Sequence, residues 1–134
     1  MNMKKEETTH QIIGCAYKVY NELGFGFLES VYRKAMAIEL EKSGHSTEQE
    51  KALKVYYSDQ VVGEFYVDIL VDNDIILELK SVQHLAKEHE VKLVNYLNGM
   101  KKELGLLINF GSSGVEVKRK YRNPEQEEKL IRQD

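Results

Sequence analysis

The 134-residue chain has one cysteine, one proline and no tryptophan. A lone thiol, Cys15, excludes an intramolecular disulfide and any multi-cysteine zinc site, and its simplest reading is a small core residue of the first helix. With Pro124 as the one proline, there is no Pro-rich linker. No apolar run approaches the roughly 20 residues that span a bilayer. The polar stretch from Met1 to His10 offers no apolar segment for a secretory signal. We therefore expect a cytoplasmic protein. An excess of positive charge is also lacking: 19 Lys and Arg stand against 22 Asp and Glu, a formal net charge of −3. That balance excludes a strongly basic, bulk-electrostatic nucleic-acid binder and leaves room only for a local basic groove. There is no internal repeat and no low-complexity tract. The length suits one domain, residues 1–134, and we expect residues 1–7 and 124–134 to be flexible tails.

What the chain does contain is a change of rhythm. Thr8 and Gln11 have capping-box spacing, and Ile12, Ile13, Ala16, Tyr20 and Leu23 follow at helical intervals up to Gly24. A second helix is expected from Leu28 to Ser43, with Val31, Ala35, Ile38 and Leu40 inward and Gly44 as its stop. The period then becomes two. Strands are expected at Lys51–Ser58, Val61–Val71 and Ile75–Val82, separated by turns at Asp59-Gln60 and Asp72-Asn73-Asp74. Helical spacing returns over Lys87–Glu103, with Val91, Val94, Tyr96, Leu97 and Met100 as core positions. Leu104–Phe110 reads as a buried strand and Val115–Tyr121 as a last one. The order α-α-β-β-β-α-β-β implies a mixed α/β (α+β) sheet with helices packed on it.

The third strand carries an anomaly. Side chains two apart on a strand share a face, so Ile76, Glu78 and Lys80 lie opposite Ile75, Leu77 and Leu79. Charges in a central strand are costly unless paired or bound to metal. On the preceding strand, Phe65, Val67, Ile69 and Val71 are expected on one face and Tyr66, Asp68 and Leu70 on the other. A hairpin through Asp72–Asp74 brings Asp68 near Glu78. Two carboxylates and an ammonium on one sheet face suit phosphodiester hydrolysis with Mg²⁺ or Mn²⁺: hard cations take oxygen ligands, and a lysine can orient the attacking water. The alternative is a plain ion pair of Lys80 with either acid.

Two further groupings stand out. Gly26-Phe27-Leu28-Glu29-Ser30-Val31-Tyr32 has the form G-x-x-E-x-x-Y, which puts Glu29 and Tyr32 on one face of a helix start. Glu29 also fits there simply as a carboxylate favoured by the helix dipole. Lys92 and Tyr96, four apart, share a face of the next helix, where a solvated lysine beside a half-buried tyrosine is the simpler explanation. The basic segment Lys118-Arg119-Lys120, with Tyr121 and Arg122, reads as a phosphate contact or as a charge-protected edge strand. His84 and His89, five apart, do not suit one metal-binding helix face, and a surface or capping role explains His89.

Taken together, Gly26, Glu29, Tyr32, the stretch VDILVDNDIILELKSV and the late LGLLINFG resemble the GxxExxY proteins, small members of the PD-(D/E)XK nuclease superfamily. The resemblance runs from about Ile12 to Arg122. It implies an α-β-β-β-α-β core, a restriction-endonuclease-like fold and a metal-dependent nuclease acting on DNA or RNA. It makes Asp68 and Glu78 metal-holding acids, Lys80 the catalytic lysine, and Glu29 an assisting acid. It adds the Leu79 carbonyl as a metal ligand and Tyr32, Lys92 and Tyr96 as substrate contacts. Related sequences commonly carry glutamine four residues before the helix tyrosine, where this chain has Lys92. A lysine meets phosphate as a point charge and cannot accept a hydrogen bond. A nuclease fold without catalysis, serving as a binding module, or as a subunit acting only with a partner protein, is the alternative function. A homodimer would help so small a nuclease cut both strands.

Overall fold

The computed structural model describes residues 3–122, so the tail expected from 124 onward lies outside the described residues. The elements are α1 (Met3–Leu23), α2 (Glu29–Lys42), β1 (Thr47–Tyr57), β2 (Gln60–Val71), β3 (Ile75–Lys80), α3 (Lys87–Met100), β4 (Leu104–Gly111) and β5 (Gly114–Tyr121). Their order matches the sequence reading. Five strands form one mixed sheet in the order β1-β2-β3-β4-β5. All neighbours are antiparallel except β3 and β4, which are parallel and therefore need the crossover through α3.

Helix α1 begins at Met3 rather than near Thr8. Thr8 and Gln11 are thus interior residues, not a cap. It is Thr9 that is buried, and its hydroxyl donates back to the Glu6 carbonyl at 2.9 Å. Lys5 reaches Asp74 at 3.4 Å, an ion pair between the start of α1 and the β2–β3 turn. The helix ends where the Gly24 N–H donates to Tyr20 O with φ of +71°.

Helices α2 and α3 are rotated slightly from the faces their sequences suggest. Tyr32, Met36, Ala37 and Leu40 point inward on α2, whereas Ile38 is exposed. On α3 the buried residues are Leu93, Tyr96, Leu97 and Asn98, and Val91 is exposed. That helix stops at Met100, short of Glu103, because Lys101 turns left-handed with φ of +57°. Strand β1 starts at Thr47, ahead of its apolar residues. Pairing with the long β2, from Thr47 opposite Val71, recruits this polar stretch at the sheet edge.

Two apolar layers sandwich the sheet. Under α1 and α2 lie Ile12, Tyr32, Met36, Ile69, Leu77, Leu79, Leu106, Ile108 and Phe110, among others. Under α3 lies a smaller layer of Leu53, Val67, Leu70, Ile76, Leu93, Tyr96, Leu97 and Leu107. Strands β3 and β4 are buried on both faces, which explains their near-continuous apolar sequences. Helix α3 sits so low on β4 that a Cβ at Gly105 would meet Leu93 Cδ1 at 2.8 Å.

The expected alternation along β2 fails at one residue. Val67 packs in the α3 layer, while Ile69 and Val71 pack in the opposite one. The face therefore switches across Asp68. Opposite this point Glu50 adopts φ of +51°, a conformation uncommon for a residue with a Cβ. Asp68 sits at this switch of faces.

Candidate active site

The backbone ladder between β2 and β3 runs from Val71 opposite Ile75 to Ile69 opposite Leu77 and then stops. Beyond it the strands fork, and side chains take over the backbone's hydrogen bonds. The Asp68 N–H donates to Glu78 Oε1 at 3.1 Å, and the Leu79 N–H donates to Asp68 Oδ2 at 2.7 Å. The two carboxylates are thereby locked into the fork. Among the described residues, the other oxygens, Asp68 Oδ1 and Glu78 Oε2, receive no protein hydrogen bond.

Burial opposes charge on both acids. Glu78 is 6% exposed; burial, and then the neighbouring Asp68 carboxylate, push it up to about 8. Asp68 is also raised, chiefly by burial, although the Leu79 N–H works the other way. Lys80 acts on both acids, with Lys92 on Glu78 and Arg33 on Asp68, but these cations do not offset the burial.

Lys80, on the same face of β3 as Glu78, points to the rim of the fork. Its Nζ lies 3.9 Å from Glu29 Oε1 at the start of α2. Lys92 comes from α3, with its Nζ 5.7 Å from the centre of the Tyr96 ring. Burial works against the Lys92 charge. The neighbouring Tyr96 and the attraction of Glu78 and Asp68 outweigh it and hold the lysine above its usual range. Tyr96 is raised mainly by burial. Glu29, Asp68, Glu78, Lys80, Lys92 and Tyr96 thus converge from four elements on one end of the sheet.

Tyr32 does not join them at the surface. It is fully buried, stacked on Phe110 with ring centres 4.4 Å apart, and its hydroxyl donates to Gly24 O while accepting from the Phe27 N–H. A substrate contact is closed to it. It instead pins the Gly24–Leu28 loop, where Gly26 takes φ of +114°, and so sets where α2 begins and where Glu29 stands. The G-x-x-E-x-x-Y spacing thus joins the loop glycine, the first residue of α2 and the tyrosine that holds the loop. His89 likewise acts locally. Its Nδ1 accepts the Ala86 N–H at 3.0 Å and caps α3. The β5 cations are engaged too, with Lys120 pairing Glu90 at 2.6 Å and Arg119 donating to Thr9.

Two residues near the site escaped the sequence reading. Arg33, one turn after Glu29, holds Gln49 and Glu50 at 3.2 Å each and lends positive charge to Asp68. Its place four residues beyond a singled-out acid on a helix was the available signal. Asn109, fully buried on β4 opposite Lys80, brackets Val82 by accepting its N–H at 3.0 Å and donating to its carbonyl at 2.8 Å. It fixes the chain as it leaves β3. A lone amide inside LGLLINFG was the clue.

Residues 6–120 match the sequence profile of the PD-(D/E)XK nuclease superfamily. The chain belongs to that superfamily. No curated protein matches it. Among solved structures, the "Crystal structure of SSO0001" superposes with a TM-score of 0.58 at 14% identity, over 77% of this chain and 55% of that one. The chain therefore spans about half the length of that protein. Likeness at such low identity carries the fold alone.

Nucleases of this superfamily generally use divalent metal ions. Among the described residues, no three His, Cys, Asp or Glu side chains stand as a ready-made metal cage. The donor set nonetheless suits a hard cation. Mg²⁺ typically takes one or two carboxylates and fills its other positions with water and substrate oxygens. Asp68 and Glu78 each offer an oxygen without a protein donor, in a place where added positive charge relieves their repulsion. In the described chain no helix is long and apolar enough to cross a membrane.

Proposed function

We propose that this protein is a metal-dependent phosphodiesterase of the GxxExxY type that cuts nucleic acid, DNA in the first instance and RNA as the second candidate. The observation that carries the reading is the fork: a buried and a half-buried carboxylate, each fixed by the other strand's backbone, beside a lysine on the same sheet face. Asp68 and Glu78 would hold Mg²⁺ or Mn²⁺, with the Leu79 carbonyl and Glu29, directly or through water, as further donors. When bound, the metal lowers the pKa of a coordinated water and offsets charge developing on the phosphate.

The chain's own residues supply the rest. Lys80 orients the attacking water and stabilises negative charge as it develops. Its contact with Glu29 keeps the ammonium at the rim, where an incoming phosphate competes for it. Lys92 meets a flanking phosphate as a point charge, taking the place of the usual glutamine, while Tyr96 fixes the lysine's position. Asn109 keeps Lys80 in register through Val82. A homodimer or a partner protein would extend the contacts of so small a domain.

The test is calorimetric titration with Mn²⁺ at neutral pH, comparing the wild type with Asp68→Ala and Glu78→Ala. Binding present in the wild type and absent from both variants supports the site, and nuclease screening follows. A wild type that binds no metal favours the second reading, a binding module or partner-dependent subunit. One observation favours that reading: Lys80 is already paired with Glu29, and the acids are already hydrogen-bonded.

A further inference from the structure

The surface next to the fork has a chemistry that phosphodiester cleavage alone does not require. Beyond Val67, β2 loses β3 as a neighbour and continues with β1 as a two-stranded arm. The arm carries large apolar side chains into solvent. Phe65 stands 42% exposed, with Val55 and Val61 also exposed near it. Phe65 lies opposite Leu53, two residues before Val67, and both Leu53 and Val67 belong to the α3 layer. Phe65 therefore faces the same side of the sheet as Glu78. Its ring sits 5.9 Å from that of Tyr96 with the planes at 44°, and Tyr96 in turn bears the Lys92 ammonium. Strand geometry puts Phe65 about 10 Å from Asp68.

The partly exposed Phe65 ring, the exposed Lys92 held against the buried Tyr96, and the two acids with Lys80 thus follow one another along one face of the sheet. An apolar flat face, a cation and a metal-compatible pair of carboxylates, in that order, answer the parts of a nucleotide: base, flanking phosphate and scissile phosphate. A base within a duplex has its flat faces covered by its neighbours. An unpaired base can lay one on a protein ring without breaking a stack.

We infer that Phe65, backed by Tyr96, is a stacking platform for an unpaired nucleotide next to the cleaved bond, so that the substrate class is single-stranded or locally unpaired nucleic acid. The inference rests on the nuclease reading of the same site and specifies its substrate. It assigns to Phe65 a contact that sequence reasoning did not single out.

The experiment is fluorescence anisotropy with a labelled single strand of about 20 nucleotides, long enough to cover a typical site, and its blunt duplex, without divalent metal so that nothing is cut. The expected result is single-strand binding about tenfold tighter than duplex binding, a loss of about tenfold in Phe65→Ala, and recovery to within about twofold in Phe65→Trp, which keeps a flat ring. The partly exposed position of Phe65 makes both variants compatible with folding, and circular dichroism checks that they fold. Equal affinity for both forms, a duplex preference, undiminished binding in Phe65→Ala, or no detectable single-strand binding overturns the inference. The Mn²⁺ titration reads out separately. Metal binding that needs Glu78, combined with binding indifferent to Phe65, removes the platform and leaves the nuclease reading. Phe65-dependent binding without any metal site does the reverse.

Discussion

The two faces of the sheet are built to different ends. The face under α1 and α2 is closed: its buried side chains are overwhelmingly apolar, and even its tyrosine, Tyr32, has both hydrogen-bonding roles of its hydroxyl satisfied inside. The face under α3 is covered by one helix. It leaves the fork, Lys80 and the aromatic arm open at one end. Apolar packing is concentrated on the first face, and the proposed site lies at the open end of the second, with Glu29 reaching it from α2. The same strands serve both because side chains alternate across the sheet, and β2 gives up that alternation at Asp68.

If this division holds, the largest stability losses come from the closed face. Phe110→Ala, removing a fully buried ring stacked on Tyr32, is expected to cost about 3–5 kcal/mol in urea unfolding. A loss below about 1 kcal/mol would mean that this face is less tightly packed than it looks. On the open face the expected pattern reverses. Lys80→Ala should lower metal-dependent cleavage by about 10²–10³-fold while leaving the unfolding midpoint nearly unchanged. A variant that keeps full activity would take the lysine out of the mechanism.

Glu78 sharpens the comparison, since there the proposed function works against stability. Its carboxyl is raised from 4.5 in the unfolded chain to about 8 in the folded one, so the folded state holds the proton more tightly. Its favourable contribution is complete below the unfolded value and is lost as pH rises toward 8. Glu78→Gln should therefore stabilise the metal-free protein by about 1–3 kcal/mol at about pH 9 and have little effect near pH 4. Thermal melts at the two pH values check this, and a variant that is destabilised at the alkaline value would contradict it. For the same reason Mn²⁺ must displace a proton at neutral pH. Its affinity should climb with pH and level off above about 8, with proton release visible in buffers of different ionisation enthalpy.

Smaller again is Tyr32→Phe, which keeps the stack on Phe110 and removes the bond to Gly24. We expect about 1–2 kcal/mol lost, and a further drop in cleavage only where Glu29 is intact. At the bottom of the scale stands Lys18→Ala. It breaks an exposed ion pair with Glu39 and should not move the melting temperature measurably.

Much of this architecture was legible because each element buries a distinct pattern. The unbroken apolar strands Ile75–Leu79 and Leu104–Phe110 could only be central, and the acids within or beside them had to be explained. Less legible were features set by tertiary contacts. The facing of α2 depends on how it settles on β3, which exposes Ile38 despite its favourable spacing. The polar start of β1 forms strand because β2 is there to pair with it. The helical start at Met3 carries an ion pair of Lys5 with Asp74, distant in sequence. The role of Tyr32 was hidden for another reason. Its spacing from Glu29 states that the two share a helix face, but only the fold shows that the hydroxyl turns away to hold the loop.

Strand β2 passes from the centre of the molecule to its margin within 12 residues. At Val71 it is flanked on both sides and buried, whereas at Val61 it has β1 alone and is exposed. Amide hydrogen exchange along this one strand should accordingly span nearly the full range the protein offers. At the Val71 end, amides wait for global unfolding; toward Val61, they exchange through small local openings of the arm. The break between the two regimes should fall at Asp68, so that exchange would divide this one strand into a part that opens with the whole molecule and a part that opens by itself.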